Sequence, residues 1–213
     1  MKILLMGNPN VGKSVLFSRL TGVRVLSSNY PGTTVGYTRG FMKVNDEPAE
    51  VIDVPGTYTL EPTCEAEEIA LKMLKTGDVV ISVIDATNLE RNLYLTLQLL
   101  EKDIPVIVAL NLWDDTRHRG INIDLDKLES ILGIPVIPTS ALTGQGIKNL
   151  VRSIPRASAP HAPALNLNER WALIGNITGQ VQQITHRHHR WYERLEDASV
   201  KPRFGYIIAA LVL

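Results

Sequence analysis

Five short apolar runs, rich in Val, Ile and Leu and bounded by turn residues, recur through the first two-thirds of the chain: Lys2–Met6, Pro48–Asp53, Asp78–Asp85, Pro105–Asn111 and Ile134–Pro138. Runs this short and this apolar predict strands covered on both faces of a sheet. Between them, Lys13–Thr21, Glu65–Lys75, Leu89–Lys102, Leu125–Leu132 and Gln145–Ile154 place apolar residues at helical spacing. Strands alternating with helices in this way predict a three-layer α/β domain around a mostly parallel sheet. Ligands of such sheets bind beyond the carboxyl ends of the strands.

The pattern changes after Ile154. Pro155, Pro160 and Pro163 fall in a connector that cannot continue the preceding helix. From Asn168 to about Leu195 the spacing predicts one long helix, or two short ones interrupted near Gly175 or Gly179. The expected organisation is a domain over 1–154, a proline-rich linker over 155–167, a short helical subdomain over 168–200, and a terminal apolar segment over 202–213. Phe204–Leu213 is nearly all apolar but half the roughly 20 residues needed to span a bilayer.

Composition narrows the picture only a little. The 213 residues carry 22 basic and 22 acidic side chains, so no overall field recruits nucleic acid or an anionic membrane. Cys64 is the only cysteine, which excludes an internal disulfide and fits a reducing compartment. It reads as an ordinary loop residue. His186, His188 and His189 sit in a basic cluster, but no carboxylate or cysteine completes a ligand set. A solvated basic face near a membrane surface is the better reading.

The chemistry begins directly after the first predicted strand. Gly7-Asn8-Pro9-Asn10-Val11-Gly12-Lys13-Ser14 matches G-x-x-x-x-G-K-[ST] and opens a predicted helix. Glycines there let backbone N–H groups turn inward around phosphates, and the helix N-terminus adds partial positive charge. Lys13 is expected to reach the terminal phosphate oxygens and Ser14 to ligate Mg²⁺. Asn8, Pro9, Asn10, Val11, Gly12 and Val15 complete the expected cradle.

The cradle alone does not choose a base. Asn111-Leu112-Trp113-Asp114 closes another buried strand, with Leu112 where [NT]-K-x-D has lysine. A carboxylate at Asp114 can accept from guanine N1–H and the exocyclic amine, whereas adenine would leave it unpaired. Asn111 is expected to brace this loop and contact the base. Thr139-Ser140-Ala141 follows the next strand and resembles the element that offers backbone N–H groups to guanine O6. GTP and GDP are therefore the expected nucleotides.

Asp53-Val54-Pro55-Gly56 resembles the D-x-x-G element, with Asp53 holding Mg²⁺ through water and the Gly56 N–H meeting the γ-phosphate. Asn29 to Val35 lies in a long loop between the first helix and the second predicted strand. Thr34 is the candidate for completing Mg²⁺ coordination, with Thr33 as the alternative. Thr57 stands where Ras-like proteins carry the glutamine that orients the attacking water. No residue can be assigned that task, and intrinsic turnover is expected to be slow. Asn10 resembles the P-loop asparagine of potassium-stimulated GTPases, which holds K⁺ against the phosphates; a loop-stabilising role is the alternative.

Taken together, GNPNVGKS, NYPGTTVGY, DVPGTYTL, VIDATNLERNLYLTLQLLE and NLWD resemble the cytoplasmic P-loop GTPase domain of the ferrous iron transport protein B family, across Met1–Ile154. The resemblance implies a six- or seven-stranded sheet, and GTP hydrolysis coupled to Fe²⁺ uptake through the protein's own membrane domain. It also implies small accessory iron-transport proteins as partners, a homo-oligomer, and a place at the cytoplasmic face of the inner membrane. No nucleic acid is expected. Pro202-Arg203-Phe204-Gly205 and the apolar residues after it are similar to that family's approach to its first spanning helix. The segment between linker and Pro202 is short for the family's helical subdomain, which helps retain GDP. Two other readings share these motifs: a ribosome-assembly GTPase of the Era or Der type, and a signalling module without useful hydrolysis. The first normally carries NKxD and a basic RNA-binding module.

Overall fold

The computed structural model describes all residues except 23, 24, 32, 63 and 186–213. The histidine cluster and the terminal apolar segment therefore lie outside the described residues. Residues 1–183 form one compact unit.

A seven-stranded sheet runs in the order β2-β3-β4-β1-β5-β6-β8. Its central strands are β1 (Lys2–Met6), β4 (Glu47–Asp53), β5 (Val79–Asp85), β6 (Val106–Asn111) and β8 (Val136–Pro138). All five are mutually parallel and match the five apolar runs. β2 (Val25–Asn29) and β3 (Gly36–Val44) add an antiparallel edge. The β3–β4 hairpin turns on Asn45 and Asp46, both at positive φ, which short polar side chains tolerate and two-residue hairpins require.

Each central strand buries both faces. In β1, Ile3 and Leu5 face one apolar layer while Leu4 and Met6 face the other, all fully buried. The first layer is closed by α1 (Lys13–Thr21), through Leu16 and Phe17, and by α6 (Ile147–Ser153), through Leu150. The second is closed by α2 (Glu65–Leu74), α3 (Leu89–Leu100), α5 (Leu125–Leu132) and α7 (Leu167–Val181). Three layers result, as the alternating pattern implied.

Two short elements escape the apolar pattern. α4 (Trp113–Arg119) buries only Thr116, and β7 (Ile121–Ile123) is three residues long. The proline-rich connector is seated on the domain: Ser158 exchanges backbone hydrogen bonds with Val106, and the Ala162 N–H bonds the Leu100 carbonyl. α7 begins in a capping box between Asn166 and Glu169 and runs unbroken through Gly175 and Gly179. Its Ile174, Ile177 and Val181 enter the second layer. Among the described residues no helix is long and apolar enough to cross a membrane.

Candidate nucleotide-binding site

Every motif residue except those of the β2–β3 turn lies just at or beyond the carboxyl ends of β1, β4, β6 and β8: on the last residue of the strand, in the loop after it, or in the first turn of the helix that follows. Registry aligns the strand ends: Leu5 pairs with Asp53, and Asp85 with Asn111.

The loop after β1 turns sharply at Asn10 (φ 67°) and Gly12 (φ 87°), both in the left-handed region. Gly12 then caps α1. A Cβ at Gly12 would overlap the Asn111 side-chain nitrogen, so strain and collision both enforce glycine there. At Gly56 a Cβ would meet Lys13 Nζ at 3.0 Å and Pro9 at 3.1 Å. The two loops thus approach closely enough that a side chain at Gly56 would force Pro9 or Lys13 to give by a few tenths of an ångström.

Lys13 is buried, and its Nζ donates to the carbonyls of Gly7 (3.2 Å) and Asn8 (3.3 Å). Burial pulls its pKa down, and the charge of Asp53 partly restores it. Asp53 responds in the opposite sense. Burial raises its carboxyl, while the Ser14 hydrogen bond and Lys13 work to lower it. Ser14 Oγ donates to Asp53 Oδ2 at 2.8 Å, and Asp53 Oδ1 is buried without a partner. A hydroxyl and a carboxylate oxygen held together beside an unsatisfied oxygen suit a hard, oxygen-seeking cation. Mg²⁺ fits this donor set.

The loop after β4 is pinned at Thr57. Its N–H donates to the Gly7 carbonyl at 3.3 Å, and its buried hydroxyl donates to the Thr59 carbonyl at 2.6 Å, with Glu67 Oε1 3.2 Å away. The side chain that replaces glutamine therefore points into the protein. It holds the loop's shape and is not presented to a water beside the cradle.

Asn111 joins three loops. Its Nδ2 donates to the Val11 carbonyl at 2.9 Å, and its Oδ1 accepts from the Ala141 N–H at 2.9 Å and from Thr139 Oγ1 at 3.4 Å. It is fully buried, and these internal bonds tie the loops after β1 and β8 to the end of β6. Ala141 spends its N–H on Asn111, and Ser140 spends its own on the Gln145 carbonyl. Leu112 adopts φ 58° and caps α4, which places the half-buried Asp114 in the first turn beyond β6. Val15 is 45% exposed beside Ser14. Arg19, on α1, donates from Nε to the Ala141 carbonyl at 2.9 Å. Sequence alone offered no signal for that contact.

Thr34 stands apart. The β2–β3 turn is closed by Tyr30 N–H to the Val35 carbonyl, and the Thr33 hydroxyl donates to the Tyr30 carbonyl at 2.9 Å. Thr34 is exposed, and no hydrogen bond among the described residues joins it to Ser14 or Asp53. The cradle, Asp53, Gly56 and Asn111 are thus brought together, and the β2–β3 turn is not. Among the described residues no cluster of His, Cys, Asp or Glu is set to hold a metal by itself.

A Gly-rich loop between a buried strand and a helix, a carboxylate bonded to the helix's first serine, and an asparagine tying that loop to the β8 loop define the P-loop GTPase class. Comparison with known proteins narrows it. Residues 1–154 match the family model described as ferrous iron transport protein B. The chain is 46% identical over 161 residues to the Fe(2+) transporter FeoB of Shigella flexneri and to that of Escherichia coli K12, covering 73% of this chain and 21% of theirs. It is 43% identical over 152 residues to an Fe(2+) transport protein A/FeoB fusion protein of Porphyromonas gingivalis, covering 70% of this chain and 18% of that one. Among solved structures, the cytosolic domain of L. pneumophila FeoB superposes with a TM-score of 0.80 at 34% identity, covering 86% of this chain and all of that one. A GDP-bound mutant of the S. thermophilus FeoB G-domain gives 0.78 at 28%, with the same coverage. The chain belongs to the ferrous iron transport protein B family, and residues 1–154 are its N-terminal GTPase domain. It spans about a fifth of the length of the curated relatives it matches.

Proposed function

We propose that this chain binds GTP and GDP with Mg²⁺, hydrolyses GTP slowly, and serves as the nucleotide-operated part of a ferrous iron transporter. The observation that carries the nucleotide reading is the Ser14–Asp53 hydrogen bond beside buried Lys13, with Asp53 Oδ1 left unsatisfied. A bound Mg²⁺ would neutralise phosphate charge as it develops. Ser14 and Asp53 are the groups that would hold it, with Thr34 joining when the β2–β3 turn closes. Lys13 exchanges the Gly7 and Asn8 carbonyls for phosphate oxygens, and the Gly56 N–H orients the terminal phosphate. Asp114 selects guanine, while Asn111 keeps the phosphate and base loops in register.

No side chain here is assigned to orient the attacking water, because Thr57 is committed to the loop's interior. Slow turnover follows. Asn10, forced into a left-handed turn, would present its side chain to K⁺ held against the phosphates, supplying positive charge at the transition state. Hydrolysis measured in KCl and in NaCl tests this part; equal rates would remove the role of K⁺ and leave nucleotide binding standing.

The iron-transport reading rests on family membership. Residues 155–167 are read as a linker; α7 belongs to the compact unit of residues 1–183, so the expected helical subdomain over 168–200 does not begin as a separate body, while the proposed membrane entry over 202–213, on the cytoplasmic side of the inner membrane, lies outside the described residues. The P. gingivalis protein is described as a fusion with an Fe(2+) transport protein A, which favours a small accessory protein as partner here too, alongside self-association. Relatives of the Era or Der type are not favoured by the match over 1–154. Restoration of ferrous iron uptake in a cell lacking its own transporter, by a full-length protein carrying this domain and not by its Lys13→Ala form, tests the larger role.

A further inference from the structure

Pro9 and Gly56 approach each other closely, and a residue near each of them is held by the same residue of α3. Asn8, next to Pro9, is 3% exposed. Its side chain is turned into the protein, where Nδ2 donates to the Arg91 carbonyl at 3.4 Å. Tyr58, two residues beyond Gly56, is 42% exposed, and the Arg91 guanidinium carbon sits 4.6 Å from its ring centroid. Arg91 lies in the first turn of α3 and is itself exposed. Its backbone thus holds the loop after β1, and its side chain holds the loop after β4.

The local structure explains why Tyr58 is available for this contact. Thr57 is 2% exposed, with its hydroxyl committed to the Thr59 carbonyl. With that side chain inward, the next one faces out. A cation over the face of the exposed ring is drawn there by the ring's negative quadrupole. The segment that carries Gly56 is therefore fastened twice in succession. Thr57 N–H bonds the Gly7 carbonyl at 3.3 Å, and the Tyr58 ring beyond it rests on Arg91. A reacting group already held in its working geometry spares the cost of ordering it during the reaction.

We infer that Arg91 is a positioning residue for GTP hydrolysis, its stack on Tyr58 holding the loop after β4 so that the Gly56 N–H stays aimed at the cradle. The effect falls on the step that uses the γ-phosphate. GDP has no such group, so its binding draws on the cradle and the base loops and is indifferent to the stack. The inference rests on the GTPase reading above, yet the two fail differently.

Arg91→Ala and Tyr58→Leu each remove the stack, and neither touches the Asn8 bond, whose acceptor is a backbone carbonyl. Single-turnover hydrolysis at saturating GTP should slow about 2- to 5-fold in each, the worth of an exposed cation–π contact. GDP affinity and melting temperature should stay at wild-type values. Tyr58→Phe keeps the ring and should keep most of the wild-type rate. The double variant should be no slower than the slower single one, because both changes delete one contact. An unchanged rate in Arg91→Ala overturns the inference, as does a Tyr58→Phe chain as slow as Tyr58→Leu. Multiplying losses in the double variant also overturn it, since Arg91 would then act on the phosphate and not through the ring. Loss of GDP affinity in step with the rate overturns it too, by making the stack a general support of the site. A wild-type chain that fails to bind GTP, or binds without hydrolysing it, overturns the GTPase reading itself.

Discussion

The phosphate cradle and the β2–β3 hairpin, which we propose serve one nucleotide site, are built by opposite means. In the cradle, Lys13 and Asn111 are buried, each makes two or more hydrogen bonds, and the loops between them come from the central strands. In the hairpin, Thr34 is exposed, Leu26 and Phe41 are more than half exposed, and among the described residues the turn is held by hydrogen bonds among Tyr30, Thr33 and Val35, with Tyr30 and Val35 packed part-buried against the core. A surface that must persist through every nucleotide state is anchored in the sheet. A surface proposed to move with the γ-phosphate lies instead at the sheet's edge, where less of it is buried, as expected of the low-stability end of a fold.

The sharpest way to break this contrast is at Lys13. Lys13→Ala should lower GTP affinity about 100-fold, the worth of charge-assisted bonds to phosphate, while the melting temperature of the nucleotide-free chain stays within a few degrees. Titration with a fluorescent GTP analogue and a thermal melt check both halves. Asn111→Ala should instead cost the fold itself. Leaving the Val11 carbonyl and Ala141 N–H unpaired in the interior costs about 2–3 kcal/mol, read from urea unfolding of the nucleotide-free protein.

Asp53 separates function from stability in a third way. Burial raises its carboxyl in the folded state, so its contribution favours folding at low pH and is lost as pH rises through that raised pKa. At neutral pH the buried charge is a cost, and Asp53→Asn should melt no lower than wild type without nucleotide. The same variant should lose the extra stabilisation that Mg²⁺ adds to bound GDP. In the wild type, Mg²⁺-dependent stabilisation should weaken as pH falls toward the acidic range and Asp53 takes up its proton. The smallest effect belongs to the hairpin: Thr34→Ala should change unfolding free energy by less than about 0.5 kcal/mol while slowing single-turnover hydrolysis.

What the sequence reveals divides along the same line. Central strands were legible because their burial on both faces leaves a continuous apolar signature, as in Val79–Asp85. The P-loop, Asp53 and Asn111 were legible because their chemistry demands fixed residues at fixed spacing after such strands. β2 and β3 were not read as strands upstream of Pro48: Val25–Asn29 carries Ser27, Ser28 and Asn29, and Gly36–Val44 mixes Thr38, Arg39 and Lys43 with glycines on an exposed edge. α4 was missed because a seven-residue helix burying only Thr116 has no apolar stripe. Arg170 gave no sign of burial, since its neutralising partner Glu101 lies 69 residues upstream. Nor could Thr57 be seen to face inward, because its partners are set by the path of the loop toward Glu67.

The central claim is that the joined loops select a guanine nucleotide, and competition binding tests it most directly. With fluorescently labelled GDP and Mg²⁺ bound to the chain, unlabelled GTP and GDP should displace the label at comparable low concentrations. ATP should fail to do so at 100-fold higher concentration, and Asp114→Asn should erase the preference. Equal displacement by ATP and GTP, or discrimination unchanged in Asp114→Asn, would contradict it.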